Sequence, residues 1–211
     1  MTMTKKERAL LIIERLEKEY PDAICSLNYT VPHELLIATQ LSAQCTDARV
    51  NIVTKPLFER YKSVDDFADA DYDELCEYIR SAGFYRNKAK NIIACCQRLR
   101  DTYGGKVPDN MEDLLTLAGT GRKTANLILG DVFGKPAVVV DTHCIRITNR
   151  MGLTTNKTPE KIEQDLKKIL PPEKSSDFCH RLVLHGRAIC SARRADCEHC
   201  PVADVCKKVG V

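Results

Sequence analysis

The stretch Leu117-Ala118-Gly119-Thr120-Gly121-Arg122-Lys123-Thr124-Ala125 joins two short segments of helical periodicity and decides how the chain is interpreted. Its two glycines permit positive φ angles and let the backbone approach another molecule closely. The N–H groups at the start of the second helix have no partner within that helix and point outward. The stretch therefore predicts a turn between two helices that binds an anion such as phosphate.

A nucleotide-binding P-loop contains the same residue types as this turn. That motif requires glycine directly before lysine and a strand leading into the loop. Here Arg122 separates Gly121 from Lys123, and the segment leading in is helical. We therefore exclude the P-loop.

Lys123 is predicted to lie in the first turn of the second helix, beside Arg122. The helix dipole and the neighbouring cation both disfavour the charged form of its amine. A neutral amine can act as a nucleophile and form a Schiff base. From position alone, however, a solvated surface charge is the commoner role for such a lysine.

An aspartate follows the only strand-like run of the chain. The run Val138-Val139-Val140 leads directly into Asp141, where a new helix is predicted to begin. An N-cap is the commonest role of an aspartate at this position. Capping is compatible with catalysis, because a carboxylate held at a helix terminus can also stabilise a developing cation.

Helical periodicity dominates the rest of the chain and predicts an all-α fold. The four-residue run Ala137–Val140 is too short to form a sheet without a partner and is expected to be a buried, extended connector. A kink is expected at Pro56 in the third helix. The predicted helices are Lys5–Tyr20, His33–Ser42, Thr46–Tyr61, Asp71–Arg80, Arg86–Tyr103, Asn110–Leu117, Arg122–Phe133, Thr142–Met151, Pro159–Ile169 and Ser176–Ile189.

Length and composition exclude several classes of protein. The 211 residues are 44% hydrophobic and 29% charged, which suits one large or two small domains with a core and excludes collagen-like or disordered chains. The apolar run Ala9–Ile13 is too short for a membrane span and lacks a signal-peptide cleavage region, so we expect a cytoplasmic protein. The net charge of +3 is uninformative, but Arg86–Lys123 holds 8 basic against 4 acidic residues.

The eleven cysteines fall into two groups. Four of them, Cys190, Cys197, Cys200 and Cys206, lie within 17 residues and indicate a metal site. Zinc sites usually pair their ligands in two short knuckles, whereas this pattern has one short spacing, which favours a [4Fe–4S] cluster and leaves zinc as the alternative. The remaining seven are expected to be small buried side chains: Cys25, Cys45, Cys76, Cys95, Cys96, Cys144 and Cys179.

Together these motifs resemble the endonuclease III family of DNA repair glycosylases, in the family's order and over nearly the whole chain. The matching segments are Leu41–Asp47, Leu117–Asn126, Val140–His143, Leu184–Arg187 and the four-cysteine pattern. The resemblance implies a helix-hairpin-helix glycosylase that acts as a monomer on chromosomal DNA. It implies a six-helix barrel over residues 25–135 and an iron–sulfur domain formed by residues 1–24 and 136–211.

The resemblance also implies the activity, a bifunctional DNA glycosylase and AP lyase of base excision repair. Such an enzyme removes oxidised or fragmented pyrimidines from duplex DNA through a lysine Schiff base and cleaves 3′ to the abasic site by β-elimination. Lys123 would be the nucleophile, Asp141 the catalytic carboxylate, and the four clustered cysteines the ligands of a [4Fe–4S] cluster. The residues implied to contact DNA are Gln44, Phe84, Gly119, Gly121, Arg122, Thr124, His143, Arg193 and Arg194.

Two residues of the hairpin depart from the family pattern. Ala118 and Thr120 stand where the family usually has proline and valine, so we expect a less preorganised turn and slightly weaker DNA binding. Two alternatives remain. One is the related adenine glycosylase, which normally lacks the lysine; the other is a non-catalytic DNA-binding module with structural zinc.

Overall fold

The computed structural model describes residues 3–211, and within that range it contains helices and no strand. An isolated antiparallel bridge joins Cys190 to Ala195. The run Ala137–Val140 is buried and lies outside any helix. The predicted all-α fold is therefore confirmed. No helix of residues 3–211 combines the length and apolar character that crossing a membrane requires.

The chain divides into two compact units. The central unit is Cys25–Phe133, and the discontinuous unit is the described part of Met1–Ile24 together with Gly134–Val211. The helices of the central unit are α2 (Pro32–Leu41), α3 (Asp47–Arg60), α4 (Val64–Ala68), α5 (Tyr72–Ile79), α6 (Tyr85–Tyr103), α7 (Met111–Leu114) and α8 (Arg122–Asp131), with a 3-10 turn at Arg80–Ala82.

Helix α2 forms the centre of the central unit. Every residue of its Glu34–Leu41 segment is buried, so it has no polar face. It packs against α3, α6 and α8. Because α2 contacts the helix that follows the glycine turn and the helix that follows Phe84, it fixes both turns on one rigid support.

Several helix boundaries differ from the sequence prediction. The helix α4 was not predicted, because five residues are too few for a periodic pattern; a capping box between Ser63 and Asp66 starts it. The segment predicted as Asn110–Leu117 is helical only over Met111–Leu114, after a cap by Asn110. Helix α3 continues through Pro56 without interruption.

The discontinuous unit packs the N-terminal helix against the C-terminal part of the chain. Its helices are α1 (Lys5–Glu19), α9 (Thr142–Arg150), α10 (Pro159–Ile169) and α11 (Ser175–Ala188), with a 3-10 turn at Pro172–Lys174. Helix α1 packs against α10 and α11. Arg15 forms a two-pronged ion pair with Asp204, and Arg8 Nε donates to the Val205 carbonyl at 3.0 Å. These contacts fasten the N-terminal helix to the segment that holds the clustered cysteines.

The prediction for the seven dispersed cysteines is wrong at two positions. Five of them are buried: Cys76, Cys95, Cys96, Cys144 and Cys179. Cys25 and Cys45 are half-exposed, because both lie in connecting segments that flank α2 rather than on the inward face of a helix. No disulfide bond joins any of the eleven cysteines, all of which lie within residues 3–211.

Candidate functional site

The glycine turn of the central unit closes on a short hydrogen-bonded loop. The Thr120 N–H donates to the Leu117 carbonyl at 3.1 Å, and Gly119 has a φ of +72°. A Cβ added at Gly119 would stand 2.9 Å from Gln40 Oε1, so both the backbone angle and the neighbouring side chain require glycine. Gly121 is the N-cap of α8 and leaves open space where a Cβ would lie.

Gln40 supports the turn from α2. Its buried amide donates from Nε2 to the Ala118 carbonyl at 3.1 Å. Sequence reasoning missed Gln40, because nothing in the local sequence distinguishes it from other polar helix residues. This hydrogen bond restrains the backbone at Ala118, where the family usually has proline. At Thr120, the second departure, the hydroxyl is buried with no hydrogen-bond partner among the described residues.

Lys123 lies in the first turn of α8 with its side chain exposed. Arg122 beside it is also exposed, whereas Thr124 is buried. The half-exposed Cys25 lies within electrostatic range of Lys123; burial raises the pKa of this thiol to about 11, and Lys123 opposes the rise. The lysine amine is thus open to solvent at the N-terminal end of a helix, beside backbone N–H groups that no side chain caps.

Gln44 and Phe84 lie on two loops of the central unit and share an unusual backbone conformation. Gln44 has a φ of 54° and Phe84 a φ of 49°, both in the left-handed region that non-glycine residues rarely adopt. Both side chains are exposed, and Phe84 has 66% of its surface accessible. A core role for this aromatic ring is therefore excluded.

Asp141 of the discontinuous unit caps α9. Its Oδ1 accepts a hydrogen bond from the Cys144 N–H at 2.7 Å, and the residue is half-buried. His143, in the first turn of α9, is also half-buried, and its Nδ1 lies 3.1 Å from Arg146 Nη2. The N-cap expected at Asp141 is confirmed. The structure thus places Lys123 on the central unit and Asp141 with His143 on the discontinuous unit.

The four clustered cysteines line one cavity of the discontinuous unit, together with Arg150, His185 and Val202. Burial, followed by the other thiols of the group, raises the pKa of Cys200 and of Cys206. Four thiolates so close together repel one another unless a positive group lies between them. The donor set therefore fits a metal centre.

Hydrogen bonds reach the sulfurs from outside the group. Arg150 Nη1 donates to Cys190 Sγ at 3.3 Å, and the Lys208 N–H donates to Cys206 Sγ at 3.4 Å. His185 Nε2 lies 3.7 Å from Cys200 Sγ. Such bonds orient and stabilise thiolate ligands. Arg150 was not singled out from the sequence, and His185 was included only as part of the matching segment Leu184–Arg187, with no role assigned to it.

Two kinds of metal centre are compatible with this ligand set. Four thiols line the cavity, and both a [4Fe–4S] cluster and a structural zinc site can take four cysteine thiolates. His199, which lies between two of the cysteines in sequence, does not line the cavity and instead contacts Asp196 at 2.8 Å.

Arg193 and Arg194 lie in the loop between Cys190 and Cys197. Both are exposed. The Cys190–Ala195 bridge closes this loop, and the Arg194 N–H donates to Ser191 Oγ at 3.2 Å. The two guanidinium groups are thus carried by a loop whose backbone is held next to the cysteines.

Comparison with known proteins places these features in a family. The model of the HhH-GPD superfamily base excision DNA repair proteins matches residues 37–172. Endonuclease III of Synechocystis sp. is 48% identical over 204 residues, which are 96% of this chain and 93% of that protein.

Two solved structures of endonuclease III with DNA are similar to the chain. The non-covalent complex has a TM-score of 0.92 at 43% identity and covers 98% of this chain and 97% of that one. The trapped covalent intermediate, an estranged-adenine complex, has a TM-score of 0.91 at 43% identity with the same coverage. The resemblance found in the sequence is confirmed, and the chain belongs to the HhH-GPD superfamily of base excision DNA repair proteins, within its endonuclease III family.

Proposed function

We propose that Lys123 and Asp141 carry out the chemistry of this chain, which is a bifunctional DNA glycosylase and AP lyase of base excision repair. The substrates are oxidised or fragmented pyrimidines in duplex DNA. The observation that carries the proposal is the exposed Lys123 amine in the first turn of α8, directly after the glycine turn. One similar structure is a covalent endonuclease III–DNA intermediate, which requires a protein nucleophile.

The proposed reaction begins with nucleophilic attack. The neutral amine of Lys123 attacks C1′ of the deoxyribose, and the bond from C1′ to the damaged base breaks, with its electron pair leaving on the base. Positive charge develops on the sugar as this bond breaks, and the Asp141 carboxylate stabilises that charge. The attacking nitrogen gives one proton to the departing base, and its lone pair then breaks the bond from C1′ to the ring oxygen, which takes up a proton from solvent. A protonated Schiff base between Lys123 and C1′ results.

The same lysine then supports strand cleavage. The protonated Schiff base withdraws electrons from C2′ and acidifies its protons. Removal of one of these protons expels the 3′ phosphate by β-elimination, and water hydrolyses the Schiff base to release Lys123. One nucleophile therefore accounts for base removal and for the cut on the 3′ side of the abasic site.

DNA binding is assigned to residues of both units. The backbone N–H groups after Gly119 and Gly121 bind a phosphate at the start of α8. Gln44 and Phe84 enter the duplex where the base has left the stack, and the exposed Phe84 ring acts there as an apolar wedge. The remaining phosphate and sugar contacts are assigned to Arg122, Thr124, His143, Arg193 and Arg194.

The four clustered cysteines are proposed to hold a [4Fe–4S] cluster. When bound, the cluster cross-links residues 190–206, where Val202 and Val205 are the only buried side chains, and so stabilises that segment. We assign residues 25–135 to the six-helix barrel and residues 1–24 with 136–211 to the iron–sulfur domain. The protein acts as a monomer in the cytoplasm on chromosomal DNA.

The colour of the purified protein tests the cluster. A brown protein supports the [4Fe–4S] cluster, and a colourless protein that contains zinc contradicts it.

Borohydride trapping tests the catalytic assignment. Reduction of the Schiff base on a duplex with an abasic site should give a stable protein–DNA adduct with the wild-type chain. Lys123→Ala should give no adduct, whereas Arg122→Ala, the matched control one residue earlier, should retain it with weaker DNA binding. A wild-type protein without an adduct would exclude the lysine mechanism and leave a non-catalytic DNA-binding module.

A further inference from the structure

Lys88 is a buried lysine that the proposed chemistry does not use. It lies in the first turn of α6, and only 6% of its surface is exposed. Burial lowers the pKa of its amine. Moving an ammonium group out of water is unfavourable unless hydrogen bonds replace its hydration. A buried lysine therefore indicates a specific role for its hydrogen bonds.

The hydrogen bonds of Lys88 join two separate segments. Its Nζ donates to the Leu41 carbonyl at 2.8 Å and to the Ala82 carbonyl at 2.9 Å. Leu41 is the last residue of α2, and Ala82 is the last residue of the 3-10 turn before α6. Carbonyls at helix ends lack partners within the helix and carry the negative end of the dipole, so they favour a cation.

Each of these two carbonyls lies two or three residues before a residue with a strained backbone conformation. Gln44 follows Leu41 by three residues, and Phe84 follows Ala82 by two. The left-handed conformation of Gln44 and Phe84 is unfavourable, because it brings Cβ too close to the following carbonyl oxygen. Such conformations persist where the surrounding structure fixes them, and they cluster at functional sites. Lys88 restrains the backbone just before both of them.

We propose that Lys88 is a positioning residue that, by bridging the Leu41 and Ala82 carbonyls, holds Gln44 and Phe84 in place to enter damaged DNA together. The proposal rests on the assignment of Gln44 and Phe84 as the inserted residues. Lys88 acts only through these two loops and touches neither the substrate nor Lys123. It therefore affects the recognition of damage more than the general affinity for DNA.

The test compares binding to two duplexes, one undamaged and one with a stable tetrahydrofuran abasic-site analogue. Lys88→Met removes the ammonium group and keeps the length of the side chain. We expect it to weaken binding to the abasic duplex about tenfold, the scale of coupling between residues in contact. Binding to the undamaged duplex should stay within about twofold, because backbone contacts dominate it. Lys55→Met removes an exposed lysine of the same unit and should change neither affinity.

A double-mutant cycle separates positioning from a merely structural role. If Lys88 acts through the inserted ring, Lys88→Met should cost much less in a Phe84→Ala background than in the wild type. Fluorescence of 2-aminopurine opposite the abasic site should fall in Lys88→Met, because the orphaned base stays stacked. Losses that add in the double variant, or an unchanged preference for the abasic duplex in Lys88→Met, would overturn the proposal.

Two further results distinguish this proposal from the function on which it rests. If Phe84→Ala and Gln44→Ala each keep the preference for the abasic duplex, the insertion assignment fails, and the role of Lys88 fails with it. If those variants lose the preference and Lys88→Met keeps it, only the role of Lys88 fails. Lys88→Gln, whose amide can still donate to a carbonyl, should lose less of the affinity for the abasic duplex than Lys88→Met does. If neither variant folds, Lys88 is a folding residue and the positioning role is excluded.

Discussion

Asp141 combines a structural and a proposed catalytic role in one carboxylate, and two substitutions separate them. The structural role depends on the 2.7 Å hydrogen bond from the Cys144 N–H to Asp141 Oδ1. Asparagine caps a helix about as well as aspartate, because its side-chain oxygen can accept the same bond. Asp141→Asn should therefore keep the cap and lose the charge, whereas Asp141→Ala should lose both.

The expected magnitudes follow from these two roles. Loss of a helix cap costs about 1 kcal/mol of unfolding free energy. In a protein of this size that corresponds to a fall in Tm of about 2–4 °C, so Asp141→Ala should melt lower than wild type by that amount. Asp141→Asn should melt within about a degree of wild type, since the cap bond is retained. Both variants should release the damaged base about 100- to 1000-fold more slowly, the range for loss of one electrostatic stabiliser.

The assay is single-turnover base release from a duplex with one oxidised pyrimidine, alongside thermal unfolding followed by circular dichroism. Borohydride trapping on a preformed abasic site is the control, and both variants should still form an adduct because Lys123 is intact. Base release by Asp141→Asn at the wild-type rate would show that the carboxylate is not catalytic. Equal melting of the Asn and Ala variants would refute the capping argument.

Four other substitutions in the central unit have distinct expected outcomes. Gly119→Ala should lower both Tm and DNA affinity, because the added Cβ would lie 2.9 Å from Gln40 Oε1 and the backbone φ is +72°. Gly121→Ala should weaken DNA binding with little change in Tm, because its Cβ would lie in open space in the free protein. Thr120→Val should raise the unfolding free energy by about 1 kcal/mol in urea denaturation, because it removes a buried hydroxyl that has no partner in the described chain; a loss of stability would contradict this. Burial lowers the pKa of His33, so the unfolded state takes up its proton first as the pH falls below about 6.5 and stability decreases there. The substitution His33→Gln should reduce that decrease in a pH series of melting curves, while the part due to His185, whose pKa burial lowers to about 4, remains. An unchanged pH dependence would exclude His33 as a source.

Local chemistry was readable from the sequence alone. The glycine turn, the cap at Asp141 and most helix boundaries depend on residues a few positions apart, whose backbone preferences act within one or two turns. The grouping of the four cysteines was also readable, because thiols at short spacing are forced to be close. Short helices such as α4 were not, because five residues carry no periodicity.

Burial and contacts between distant segments were decided only by the tertiary structure. A lysine is exposed by default, and nothing near Lys88 in the sequence indicates that its ammonium lies against the carbonyl of Leu41, 47 residues away. The same holds for the Gln40 amide at Ala118, 78 residues away. The sequence determines which local structures can form, whereas the packing of α2 against its neighbours determines which side chains meet, because that packing is set by the whole core at once.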